Sequence, residues 1–181
     1  MPDSPRSNFM FRMMSVIIGM RNTLNPPIRL LEDEVALKPG SRVLDFGCGP
    51  GGYAIAAAQI VGLQGKVFAL DIHPLALQMV ERSAERLGLN NIETIQSDCE
   101  TGLETDSLDT ILLYDIFHIF SEPGVILSEL NRVLKSNAVL SFSDHHMKAE
   151  DILESVVGSG LFKLKSKGRK TYTFIKGGIG E

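Results

Sequence analysis

Beyond residue 41 the chain alternates between short apolar runs and longer segments with apolar residues at helical spacing. The runs RVLDFG, KVFALDI, NIETIQSD, LDTILLYDI and AVLSFSD have the length and composition of strands. The segments GYAIAAAQIVG, LALQMVERSAERLG, EPGVILSELNRVLK and KAEDILESVVGSG read as helices. Pro74 suits the first turn of the second of these, and Ser121 is placed to cap the third. LDTILLYDI is apolar almost throughout, as expected of a central parallel strand buried on both faces. This alternation predicts an α/β three-layer sandwich, a parallel sheet with helices on both sides. Ligands in such sheets lie at the carboxyl ends of the strands, where strand order reverses. Two alternating segments, FKLKSKG and KTYTFIKG, close the chain as a hairpin.

Upstream, Phe9, Met10, Met13, Ile17 and Met20 recur at helical spacing and predict an amphipathic helix. Its apolar stripe is expected to pack on the domain. The same stripe would serve as a lid, since methionine adapts to irregular ligands, or as a homodimer contact. The NPP at 25–27 breaks the chain, and IRLLEDEVAL reads as a second helix stopped by Pro39 and Gly40. A boundary near Ser41 separates an N-terminal helical extension or lid, residues 1–40, from the alternating core, residues 41–181.

A chain of 181 residues with 44% hydrophobic and 22% charged positions is one globular domain rather than two. Its formal net charge of −4 gives no general attraction to nucleic acid, and no nucleic-acid partner is expected. The best basic cluster, FKLKSKGRK, reads as an exposed strand pair whose lysines guard a sheet edge. Two cysteines, Cys48 and Cys99, form neither a disulfide framework nor a C-x-x-C pair. A reducing, cytoplasmic location is expected. The apolar run at 13–20 is far shorter than the ~20 residues of a membrane span, and no small-residue cleavage site follows it.

The chemistry concentrates in RVLDFGCGPGGY, residues 42–53. Gly47, Gly49 and Gly52 have the spacing of a dinucleotide fingerprint. Asp45 would repel a pyrophosphate, however, and Pro50 removes a donor from the turn. A ligand with a positive centre reverses that sign. S-adenosylmethionine has an ammonium, a sulfonium and no phosphate. Asp71, ending the second strand, has the reach of a ribose-binding carboxylate. Asp98 can accept from an adenine amino group, and Ile72 and Cys99 are placed to contact the ring.

Together VLDFGCGPGGY, ALDIHP, SDCE and LDTILLYDIFHIF resemble a class I S-adenosylmethionine-dependent methyltransferase of the small ubiquinone/menaquinone-biosynthesis type. The resemblance runs from about Val35 to the end. It implies a Rossmann-like, mostly parallel sheet of seven strands in the order 3-2-1-4-5-7-6, with the seventh antiparallel and the hairpin supplying the last two. It implies Asp45 and Gly47 near the methionine part, Gly49 close beneath, Asp71 at the ribose, and Ile72, Asp98 and Cys99 at the adenine. Tyr114 would sit near the methionine end. The resemblance leaves the acceptor open. No DPPY or NPPY follows the fourth strand, which argues against amino-group methylation of adenine or glutamine. Two cysteines argue against a thiol-built arsenite site. A small-molecule acceptor would be covered by the N-terminal helices, short loops or a second subunit.

Methyl transfer needs alignment, and a base when the nucleophile carries a proton. His118 is the best base candidate, with Asp115 expected to orient it. In SDHHM, Asp144, His145 and His146 are potential metal ligands. Adjacent residues on an extended chain point opposite ways, so no metal site is expected there, while His145 remains a candidate to reach substrate. His73 reads as a helix-start residue. Cys48 and Cys99 have no neighbour in sequence to activate a thiol. Two other readings stay open: a nicotinamide-dependent oxidoreductase and a non-catalytic S-adenosylmethionine-binding module.

Overall fold

The computed structural model describes residues 7–177, so the outer ends of the predicted extension and core lie outside it. Its strands are β1 (Arg42–Phe46), β2 (Lys66–Asp71), β3 (Ile92–Gln96), β4 (Leu108–Tyr114), β5 (Leu134–Ser143), β6 (Phe162–Lys167) and β7 (Tyr172–Lys176). They form one seven-stranded sheet in the order β3-β2-β1-β4-β5-β7-β6. Neighbours from β3 to β5 run parallel, and β7 is antiparallel to both β5 and β6. Strand order reverses between β1 and β4, and their carboxyl ends open a crevice there.

Alternate side chains feed two cores. Leu44, Phe46, Leu113 and Phe142 meet Ile126 and Leu130 of α5 (Pro123–Val133) and Ile152 of α6 (Ala149–Gly158) on one face. Val43, Val67 and Leu112 meet α3 (Gly52–Val61) and α4 (Pro74–Leu87) on the other. The buried alanines of α3, among them Ala54, Ala57 and Ala58, let that helix approach the sheet closely.

Three local expectations need correction. Ser121 does not cap α5: Glu122 holds the cap position without a side-chain bond, and Pro123 opens the helix with its φ already set. IRLLEDEVAL is not one regular helix. A single turn, α2 (Pro27–Leu30), widens into a π-turn at Leu31–Val35, which Ala36 ends in a left-handed conformation (φ 53°). Strand β5 begins at Leu134, directly after α5, rather than at Ala138.

The largest departure is α1 (Asn8–Leu24). The stripe expected to pack inward is the outward one: Phe9, Met10, Met13, Ile17 and Met20 are 54% to 72% exposed. The inward face carries the buried Phe11 and Ser15. Phe11 stacks on the His73 ring at a centroid distance of 4.2 Å, and Ser15 ties its hydroxyl to the Phe11 carbonyl. One aromatic anchor therefore sets the rotation of the helix against a more apolar alternative. Among the described residues no helix is long and apolar enough to cross a membrane.

Candidate functional site

After β1 the backbone turns sharply, and Gly47 and Cys48 donate their N–H groups to the Leu70 carbonyl (2.8 and 2.9 Å). Gly47 adopts φ +76°, and a Cβ there would lie 2.9 Å from the Ile116 side chain. Gly49 adopts φ +51° with no atom within 4 Å of where its Cβ would stand. The turn thus presents bare backbone to open space, the surface a ligand can approach. That space is a cavity of about 360 Å³ walled by β1, the ends of β2 and β4, and the inner face of α1. Asp45, Gly47, Gly49, Asp71, Ile72, Tyr114, Asp115, His118 and His145 all line it.

Asp45 lies at its floor, 3% exposed, and its Oδ2 has no hydrogen-bond partner among the described residues. Burial pushes its carboxyl up to about 7, the Ala54 N–H acts against that rise, and the charge of Asp71 adds to it. A buried carboxylate with an unmet oxygen calls for a cationic or donating partner. Asp71 accepts from the Gly49 N–H (2.9 Å) and the His73 N–H (2.8 Å). Its pKa is raised by burial against those two bonds. Asp71 therefore clasps the glycine turn to the start of α4. Asp71→Ala strands two backbone donors. The expected result is a loss of about 2–4 kcal/mol of stability together with ligand binding at the turn, read by denaturant melts and calorimetry. Wild-type stability in the variant would refute the clasp.

His73 is the N-cap of α4, its Nδ1 accepting from the Leu75 N–H at 3.1 Å. Tyr114 is buried, bonds the Ser141 hydroxyl at 2.7 Å and packs edge-on to Tyr53. Burial raises the Cys48 thiol well above its ordinary range, which disfavours the thiolate.

Asp98 and Cys99 are not brought into the cavity wall. Their loop is drawn toward α5, where Thr101 donates both its N–H (3.0 Å) and hydroxyl (2.6 Å) to Glu129. Asp98 is left exposed and Cys99 packs against the core on that side.

The catalytic candidates converge, with the partners exchanged. His118 does not pair with Asp115. Its Nδ1 bonds Asp144 at 2.9 and 3.1 Å, and Asp144 is fully buried and also accepts from the His118 N–H at 3.1 Å and the His146 N–H at 3.0 Å. His145 in turn bonds Asp115 through Nδ1 at 2.7 Å. The register explains the exchange: Tyr114 lies beside Ser143, so the residues following β4 and β5 face each other. Asp115 holds a left-handed backbone at φ 53° and also accepts from the Arg21 guanidinium at 2.9 Å. Burial pushes its carboxyl up, but His145 and Arg21 outweigh that and hold it below the usual carboxylate range.

Arg21, Phe11 and Tyr53 also line the cavity and escaped the sequence reading. The signal available was the second stripe of α1, at 11, 14, 18 and 21, which is less apolar than the outer one. The Arg21–Asp115 pair latches α1 to the strand ends. Arg21 is 42% exposed, so Arg21→Ala costs under about 1 kcal/mol globally while speeding amide exchange in α1. Salt should act likewise, and unchanged exchange would remove the latch.

His145 and His146 sit on a turn with ring centroids 3.9 Å apart, not on an extended chain pointing opposite ways. Even so, no group of three or more metal-ligating side chains gathers among the described residues.

Beside the cavity runs a groove of about 1040 Å³, sharing Arg21, Asn22, Tyr53, Asp115 and His145 with it.

The pattern that defines the methyltransferase-domain family matches residues 37–178. The chain belongs to that family. It is 31% identical over 137 residues to a probable cobalt-precorrin-6B C(15)-methyltransferase (decarboxylating) of Sulfolobus acidocaldarius, covering 67% of this chain and 70% of the relative. It is 33% identical over 102 residues to a demethylmenaquinone methyltransferase of Bacillus cereus, covering 55% of this chain and 42% of that protein. Among solved structures, a SAM dependent methyltransferase from Aquifex aeolicus superposes with a TM-score of 0.73 at 27% identity, covering 83% of this chain and 88% of that one. The protein is an S-adenosylmethionine-dependent methyltransferase. The site fits that cofactor: the unmet oxygen of Asp45 suits a cation, and Gly49 leaves room above its backbone. A pyrophosphate would meet the same carboxylate unfavourably, which sets the dinucleotide reading aside.

Proposed function

We propose that the protein transfers a methyl group from S-adenosylmethionine to a small-molecule acceptor, residues 1–40 acting as a lid and residues 41–181 as the catalytic domain. The observation carrying this reading is the junction of the two spaces, since a transferred group must pass from a cofactor cavity into an acceptor space through shared residues. Relatives named for cobalt-precorrin-6B and demethylmenaquinone favour a small acceptor.

When bound, S-adenosylmethionine supplies a sulfonium methyl group open to in-line attack. Asp45 and Gly47 would hold its methionine part with Gly49 close beneath, Asp71 would take the ribose, Ile72 would cover the adenine and Tyr114 would close the methionine end. His118 keeps a proton at Nδ1 against Asp144, which leaves Nε2 to take a proton from the acceptor. His145 and Asp115 border both spaces and orient the acceptor at the junction.

Calorimetric titration with S-adenosylmethionine, S-adenosylhomocysteine and NADH, followed by a radiolabelled methyl-transfer screen over a metabolite panel, tests the reading. Binding of both adenosyl ligands, rejection of NADH and label transfer to a small molecule are expected. Label transfer only to macromolecules would defeat it.

A further inference from the structure

The overall charge of the chain is −4, yet one wall of the groove is cationic. Arg29 comes from α2, Lys167 from the end of β6, and Arg169 from the turn between β6 and β7. This is the basic cluster that read in sequence as a solvated hairpin. The guanidinium groups of Arg29 and Arg169 have no ion pair or hydrogen bond among the described residues. Lys167 extends over the Tyr172 ring, 5.2 Å from its centroid, and has no ion pair among the described residues. The acids of the same wall are mostly engaged. Asp115 and Asp144 hold histidines. Glu34 accepts from the Lys170 N–H, the Thr171 N–H and the Thr171 hydroxyl, each at 2.9 Å. Asp33 is exposed and has no ion pair among the described residues, and, against the upward push of burial, the charge of Arg169 helps to hold Glu34 below the usual carboxylate range.

The turn is also fixed in place. Glu34 binds it to the π-turn, and Gly168 donates to the Thr171 carbonyl at 2.7 Å. None of Arg29, Lys167 and Arg169 makes a direct ion pair among the described residues, so their donors are open to an external anion. The groove is also lined by apolar Leu30, Met147, Ile152 and Tyr172. We propose that the methyl acceptor is an amphipathic anion. Its carboxylate or phosphate is held by Arg29, Lys167 and Arg169, and its apolar body lies along the groove toward His145 and His118. This rests on the methyltransferase reading of the site and names the acceptor class.

The test uses three probes of one shape: 2-naphthoate, 2-naphthyl phosphate and the uncharged 2-naphthamide. Each is titrated into protein saturated with S-adenosylhomocysteine, wild type and the R29Q/R169Q variant. The anions should bind about tenfold or more tighter than the amide, and the double variant should erase that preference while its S-adenosylhomocysteine affinity stays unchanged. Tighter naphthyl phosphate binding assigns a phosphate, and tighter naphthoate a carboxylate. Equal binding of amide and anions, binding of none of the three, or an undiminished preference in R29Q/R169Q overturns the acceptor class alone. Failure of S-adenosylhomocysteine to bind overturns the site reading and this inference with it.

Discussion

Affinity for S-adenosylmethionine should rise about tenfold between roughly pH 6 and pH 8, because a cation draws on the ionised form of Asp45. Burial holds that carboxyl near pH 7, with Asp71 adding to the rise, so it is mostly protonated at the lower pH and mostly ionised at the higher. Binding below pH 7 should release a proton, detectable as a buffer-dependent heat. Stability runs the other way. The folded carboxyl binds its proton more tightly than the unfolded one, whose ordinary value is 3.8. Below that value both states are protonated and nothing is lost. From there up to about 7 the unfolded state sheds a proton that the fold retains, so the ligand-free fold loses stability with pH, on the order of 4 kcal/mol in total. Asp45→Asn keeps an oxygen for the Ala54 N–H and removes the charge. It should be more stable than wild type at pH 8, bind the cofactor far more weakly, and show a flat pH profile for both. Cofactor affinity in the variant equal to wild type at pH 8 would show that Asp45 does not meet the cation.

The second large effect concerns turnover. For an acceptor that loses a proton, His118→Gln should lower kcat by about 10² to 10⁴ and leave S-adenosylhomocysteine affinity within about twofold. Asp144→Asn should give a substantial part of the same loss, since its amide no longer selects the Nδ1 proton on His118. A variant that keeps full kcat would mean that alignment alone drives transfer and that His118 only borders the site.

The sheet was readable because each strand and helix carries its own periodicity, and LDTILLYDI announced a central parallel strand. The placement of the glycine turn, Asp45 and Asp71 around one crevice was readable because it depends on neighbours close in the chain or one strand away. The histidine partners were not. Asp115 is three residues from His118 in sequence, but the β4–β5 register gives His118 to Asp144 and Asp115 to His145. Proximity along the chain was the wrong metric once two strand ends faced each other. Helix α1 misled for a related reason. Its strongest apolar stripe lies outside, and the weaker stripe is held by Phe11 on His73 and by Arg21 on Asp115, contacts that periodicity within one segment does not contain. The loop holding Asp98 and Cys99 was drawn aside by Glu129, again a partner distant in sequence.

Strand β7 lies between β5 and β6, although it is the last of the strands to be made. As the chain leaves the ribosome, the residues lining the cofactor cavity, none later than His146, are present before β6 and β7 emerge. Until then β5 keeps an open edge, and β6, which pairs with β7 alone, has no place in the sheet. Arg169 reaches the groove only with that final hairpin, and Glu34 has nothing to clasp before it arrives. Vectorial synthesis therefore makes the residues of the cavity first and completes the neighbouring groove last. The last hairpin made is thus also the one that finishes the groove.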